Sequence, residues 1–141
     1  MIRLAVVFIL VFSRTCIGYG QSVDSIPIHN GSLKQATERA ISEDRDFLVI
    51  VYKDTLNPLY TSVWNLLQDS IVRKPLSERI LVLSEPHSSN QGKSLLKQFG
   101  SEELPLIIFV NVEGEELVDF EGRVESDQFL DMYSRYVRPL Q

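Results

Sequence analysis

The chain predicts an α/β domain, a mixed sheet of central parallel strands plus a C-terminal β-hairpin, with helices on both faces. Three observations carry this expectation. Helical and strand-like segments alternate through most of the sequence, the pattern of parallel strands joined by crossover helices. Phe47–Tyr52 and Leu106–Val110 are apolar almost throughout, as strands covered on both faces are. Glu113-Gly114 then separates two strand-like runs and reads as a hairpin turn.

The elements follow in order. Met1-Ile2-Arg3 is positively charged, Leu4 to Phe12 is an unbroken apolar run of nine residues, and Gly18 and Gly20 stand at −3 and −1 of a cut before Gln21. This is the pattern of a secretory signal peptide over residues 1–20. Nine apolar residues are too few for a membrane span, which needs about 20. Residues 21–31 read as a polar leader, in which Asn30-Gly31-Ser32 is a glycosylation sequon, used only in a eukaryotic secretory pathway. Ser32 and Gln35 make a capping box for a helix to about Glu43, with Leu33, Ala36, Ala40 and Ile41 on its packed face. Asp44-Arg45-Asp46 turns the chain into the Phe47 strand.

Pro58 suits the first turn of the next helix, where a missing N–H costs little. Tyr60, Val63, Trp64, Leu67 and Ile71 form its apolar stripe down to about Val72, and Arg73-Lys74-Pro75 ends it. A buried strand is expected over 79–83 and a polar loop from Ser84 to Gln91. A helix bearing Leu95, Leu96 and Phe99 stops at Gly100, a good C-terminal cap. Pro105 opens the next strand, Leu117–Phe120 returns, and Ser126 caps a last helix carrying Phe129, Leu130, Tyr133 and Val137. The domain proper is expected over 32–138.

Composition bounds the function. The 141 residues are one domain's worth, with 44% apolar and 23% charged residues. The formal charge is −5, and no basic run or stripe appears, so nucleic acid is not an expected partner. Cys16 is the one cysteine, and it leaves with the signal together with Arg3 and Arg14. The loss of two positive charges takes the mature chain from −5 to −7. An exported chain without cysteine makes no disulfide of its own. No stable membrane span is expected after cleavage, and Arg138-Pro139-Leu140-Gln141 is not a retention tetrapeptide of the endoplasmic reticulum.

A strand running into Lys53-Asp54-Thr55 and Leu56-Asn57-Pro58-Leu59, then a helix, then Lys97-Gln98-Phe99-Gly100 and the Leu104-Pro105 strand, then Glu113-Gly114-Glu115 and Gly122, resembles the thioredoxin family in order and spacing. The likeness covers roughly residues 32–138, and the opening helix looks most like the secreted thioredoxin-like branch. The resemblance implies a Cys-Gly-Pro-Cys turn at 56–59, a cis bond before Pro105 facing that turn, and a buried acid six residues before the first cysteine. Here Leu56 and Leu59 replace both cysteines, Ile50 replaces the acid, and Thr55 stands where an aromatic is usual. Thiolate is the nucleophile of disulfide exchange, and Leu offers no substitute.

The expected function is therefore that of an exported, redox-inactive thioredoxin-like domain that binds a protein or peptide. Its candidate residues are Leu56, Asn57, Pro58, Leu59, Leu104 and Pro105, with no catalytic residue, metal or cofactor. Oxidoreductase chemistry through an uncleaved Cys16, or a purely structural accessory role with a binding face elsewhere, are the alternatives. Trp64 on its helical stripe reads as core. His29 and His87 read as solvated loop residues, since neither has partners at metal-ligand spacing, and His87 with Ser88 and Ser89 does not make a triad. The seven glycines are dispersed, so no phosphate loop is formed, and the acids of 113–121 lack the loop spacing calcium needs.

Overall fold

The computed structural model describes residues 25–140. The expected signal segment, with Cys16, lies outside these residues, as does part of the leader. The elements are β1 (Ile28–His29), α1 (Leu33–Ser42), β2 (Asp46–Tyr52), α2 (Pro58–Gln68), α3 (Ser70–Leu76), β3 (Ile80–Pro86), α4 (Asn90–Phe99), β4 (Leu106–Val110), β5 (Glu116–Asp119) and α5 (Ser126–Tyr136). They build one five-stranded sheet in the order β1-β3-β2-β4-β5. β1, β3 and β2 run parallel, while β4 is antiparallel to both β2 and β5. The mixed sheet and its closing hairpin are those the sequence predicts.

The pleat divides the core in two. Leu48, Ile50, Ile80, Val82, Ile107 and Phe109 point to the face covered by α2, α3 and α5. Phe47, Val49, Val51, Leu81, Leu83 and Ile108 point to the face covered by α1 and α4. Period-two alternation in strands that are apolar at every position thus fills both layers. On the first face Phe109 lies 5.5 Å from the Tyr133 ring, and Phe120 stacks on Phe129 at 5.0 Å. These contacts fix α5 over β4. Among the described residues no helix is long and apolar enough to cross a membrane.

Local signals hold where they are local. Ser32 Oγ accepts the Gln35 N–H at 3.2 Å and Gln35 Oε1 accepts that of Ser32, which completes the expected box. Gly100 ends α4 in the left-handed region at φ 61°. Asn111 Oδ1 accepts the N–H groups of Glu113 and Glu115, and Gly114 takes φ 82° to close the hairpin.

Six readings need correction. The polar leader contains β1, whose Ile28 pairs with Val82. The expected helix from Pro58 to Val72 is two helices, because Asp69 is extended (φ −59°, ψ 131°) and its carboxylate caps the Ile71 N–H at 2.9 Å. The break rotates Ile71 outward to 60% exposure and buries Val72 instead. Pro75 does not end the helix but sits inside the last turn of α3, whose Val72 and Leu76 are both buried. The expected loop from Ser84 begins as strand, since β3 continues to Pro86 opposite Tyr52. Ile41 is 56% exposed rather than packed. At α5 the cap is Glu125, and the Ser126 hydroxyl donates to Asp69 at 2.9 Å.

Candidate functional site

Parallel pairing of β2 with β3 brings their carboxyl ends together, with Val51 opposite Glu85 and Tyr52 opposite Pro86. Antiparallel pairing sets the start of β4 at the same end, with Leu106 opposite Val51. The 53–57 segment leaving β2, the 101–105 loop entering β4 and the turn leaving β3 therefore share one end of the sheet. In open α/β sheets this is where ligands bind.

The 56–59 turn is braced by its own polar groups. Asp54 Oδ1 accepts the Leu56 N–H at 2.8 Å, and the Asp54 carbonyl accepts that of Asn57 at 3.1 Å. Asn57 caps α2, its Oδ1 accepting the Leu59 N–H at 2.8 Å, and Pro58 takes the first helical position. Asx-type bonding of this kind holds the tip without help from the core. Leu56 stands on that tip at 84% exposure. Pro58 is exposed and Leu59 half-buried.

Leu104 and Pro105 are each half-buried, and Leu104 packs against the α1–α4 core layer. The peptide bond between them is cis. Ser101 Oγ donates to the Glu103 carbonyl at 3.1 Å and folds the preceding turn.

The end of β3 is tied down by neutral donors. Gln91 Nε2 donates to Glu85 Oε1 at 2.7 Å and to the Gly31 carbonyl at 3.0 Å, while its Oε1 accepts the Leu33 N–H at 2.6 Å. Ser89 Oγ lies 3.0 Å from Glu85 Oε2. Glu85 is thus a structural brace between α1, β3 and α4. The Tyr52 phenol is held above its ordinary value, by burial first and then by Tyr60 and Glu85. Tyr52 packs on Tyr60 with ring centroids 4.5 Å apart, and Tyr60 meets Trp64 edge-on at 6.0 Å.

Trp64 is half-buried against the α2–α5 core layer, in keeping with the expected core role, and its enclosed Nε1 has no hydrogen-bond partner. The histidines differ from expectation. His29 lies in β1 rather than a loop, both rings are half-buried, and His29 Nε2 and His87 Nδ1 are enclosed without partners. Asn30 is exposed between β1 and α1. Among the described residues no three His, Cys, Asp or Glu side chains are grouped to hold a metal ion.

A cleft of about 430 Å³, missed by sequence reasoning, starts at Pro58 and runs between α2 and the segment entering α5. Thr61, Asn65 and Asp69 form one wall, and Arg123, Glu125 and Ser126 the other. The Ile71 N–H, and next the Ser126 hydroxyl, hold the Asp69 carboxyl below its ordinary range. The walls come from segments far apart in sequence that share no motif. The capping potential of Asp69 was the one local signal available.

The fold is that of thioredoxin. A thioredoxin from Thermus thermophilus is similar with a TM-score of 0.66 and 20% identity over 82% of this chain and 90% of that one. A disulphide-isomerase-like protein from Bacteroides thetaiotaomicron gives 0.65 and 22% over 79% and 92%. The oxidised C-terminal domain of DsbD from Neisseria meningitidis gives 0.60 and 20% over 79% and 99%. No family model and no curated protein matches the sequence.

Proposed function

We propose that this chain is an exported binding domain without dithiol chemistry, which holds an extended polypeptide segment across the 56–59 turn and the Leu104–Pro105 loop. The observation that supports this reading is the register of β2, β3 and β4, which sets both segments at one end of the sheet, with Leu56 84% exposed, Pro58 exposed, and Leu59, Leu104 and Pro105 half-buried. Clustered exposed apolar groups mark interaction sites more than scattered ones do. An extended segment would gain main-chain hydrogen bonds at the loop and side-chain contacts at the turn. The cleft beyond Pro58 offers it a continuation. Leu56 and Leu59 at the thiol positions, and a cysteine confined to the expected signal segment, support a role without electron transfer. The Leu4–Phe12 run supports export.

The test uses the exported protein. Peptide or partner capture should be lost in Leu56→Asp, while the free energy of urea unfolding of that variant stays within about 0.5 kcal/mol of the parent, as for exposed sites generally. The parent should not accelerate reduction of insulin by dithiothreitol. Turnover by the parent, or capture that survives Leu56→Asp, overturns the reading.

A further inference from the structure

The apolar groups of the turn and loop fix where a segment lies but carry no sign of charge; the sign comes from what surrounds them. Resting on the binding site proposed above, we infer that the polypeptide it takes is cationic. Glu102 and Glu103 are exposed on the loop immediately before Leu104, Asp54 is exposed at the base of the 56–59 turn, and Glu121 is exposed where β5 ends beside the start of β4. Glu102, Glu103 and Glu121 are in no ion pair among the described residues. The opposing charges at this end are few. Arg123 has its guanidinium 3.2 Å from Glu125 and is already offset, which leaves Lys53 on the turn and Lys93 in the first turn of α4 as the exposed cations near this end. No lysine or arginine occurs between Lys97 and Arg123.

Single exposed carboxylates contribute little, but several of one sign around an apolar strip build a field that selects and steers a partner. A cationic segment with apolar residues at alternate positions answers both features. It lays its apolar side on Leu56 and Leu59 and its ammonium groups toward Glu102, Glu103 and Asp54. A second copy of this acidic chain is disfavoured by the same field.

The experiment measures fluorescence anisotropy of three labelled peptides of alternating valine with lysine, glutamine or glutamate, added to the mature protein at low and high salt. The lysine peptide should bind about tenfold tighter than the glutamate peptide at low salt. The gap should close as the Debye length falls toward about 3 Å near 1 M. The Glu102→Gln, Glu103→Gln double variant should remove most of the preference, whereas Glu113→Gln, Glu115→Gln on the hairpin at the far end of the sheet should leave it. Equal affinities, a preference for glutamate, or an equal effect of the hairpin pair overturns the inference, and leaves the site itself standing if Leu56→Asp still abolishes binding. Absence of binding by all three peptides removes the site and the inference together.

Discussion

Tyr133 is the largest side chain in the described residues with no exposed surface, yet it carries a hydroxyl. That hydroxyl donates to Asp46 at the start of β2, and Arg138 completes the arrangement with Nη2 3.0 Å from Asp46 Oδ1. A buried phenol is tolerable only because it has this partner. Replacing it in Tyr133→Phe should cost about 1.5–3 kcal/mol at neutral pH, the range for a hydrogen bond to a charged group. Burial first, then the hydrogen bond to Asp46 and the charge of that carboxylate, hold the phenol above its ordinary value of 10.0. A group raised in the folded state contributes stability that is present below its unfolded value and lost as pH rises above it. The urea midpoint of the parent should therefore fall once pH climbs past about 10. That of Tyr133→Phe, lower to begin with, should fall less over the same interval. Parallel curves would show that the phenol does not govern the alkaline limb.

Among the elements, α4 shows how a backbone contact can outweigh helix propensity. Gly92 lies in its first turn, and a Cβ there would sit 2.1 Å from the Pro86 carbonyl oxygen. Glycine to alanine within a helix normally gains up to about 1 kcal/mol. Here the obstacle is backbone of the neighbouring strand, which cannot swing aside, so Gly92→Ala should destabilise by about 1–3 kcal/mol in thermal or urea unfolding. That close approach was invisible in the sequence, where Gly92 looks like one more dispersed glycine. What was legible had its cause within a few residues: the Ser32–Gln35 box, the helix start at Pro58, the Gly100 stop and the all-apolar strands. What was misread had its cause far away. Ile41 and Ile71 fit helical stripes, but which flank of a stripe is covered depends on the packing partner. β1 exists because β3 offers it an edge, and Ser84–Pro86 are strand because Tyr52 and its neighbours pair with them. The candidate site divided the same way, since the turn and the proline loop were singled out by the resemblance to the thioredoxin family. The cleft of Thr61, Asp69 and Arg123 needed the folded chain.

At the scale of the whole molecule, the thioredoxin fold carries leucine at both ends of the 56–59 turn, and thiols placed there test what the backbone supports. The sheet order, the antiparallel entry of β4 beside β2 and the helix starting at Pro58 are those of the thioredoxin fold. Position 56 is open to a large substrate, and position 59 is half-buried on the first turn of α2, whose amino end favours an anion. The backbone N–H of residue 59 is held by Asn57 whatever its side chain, so the turn does not need the leucines for its shape. The Leu56→Cys, Leu59→Cys double variant should consequently fold, form a disulfide between the two new thiols, and accelerate insulin reduction by dithiothreitol beyond any rate of the parent. Ile50 is fully buried and apolar, so no carboxylate is supplied from that position of β2 and the rate of the double variant should be modest. A double variant that is folded by circular dichroism but cannot close its disulfide would mean that the turn itself has drifted from redox geometry. The backbone of the turn, and not its side chains alone, would then be unsuited to a dithiol.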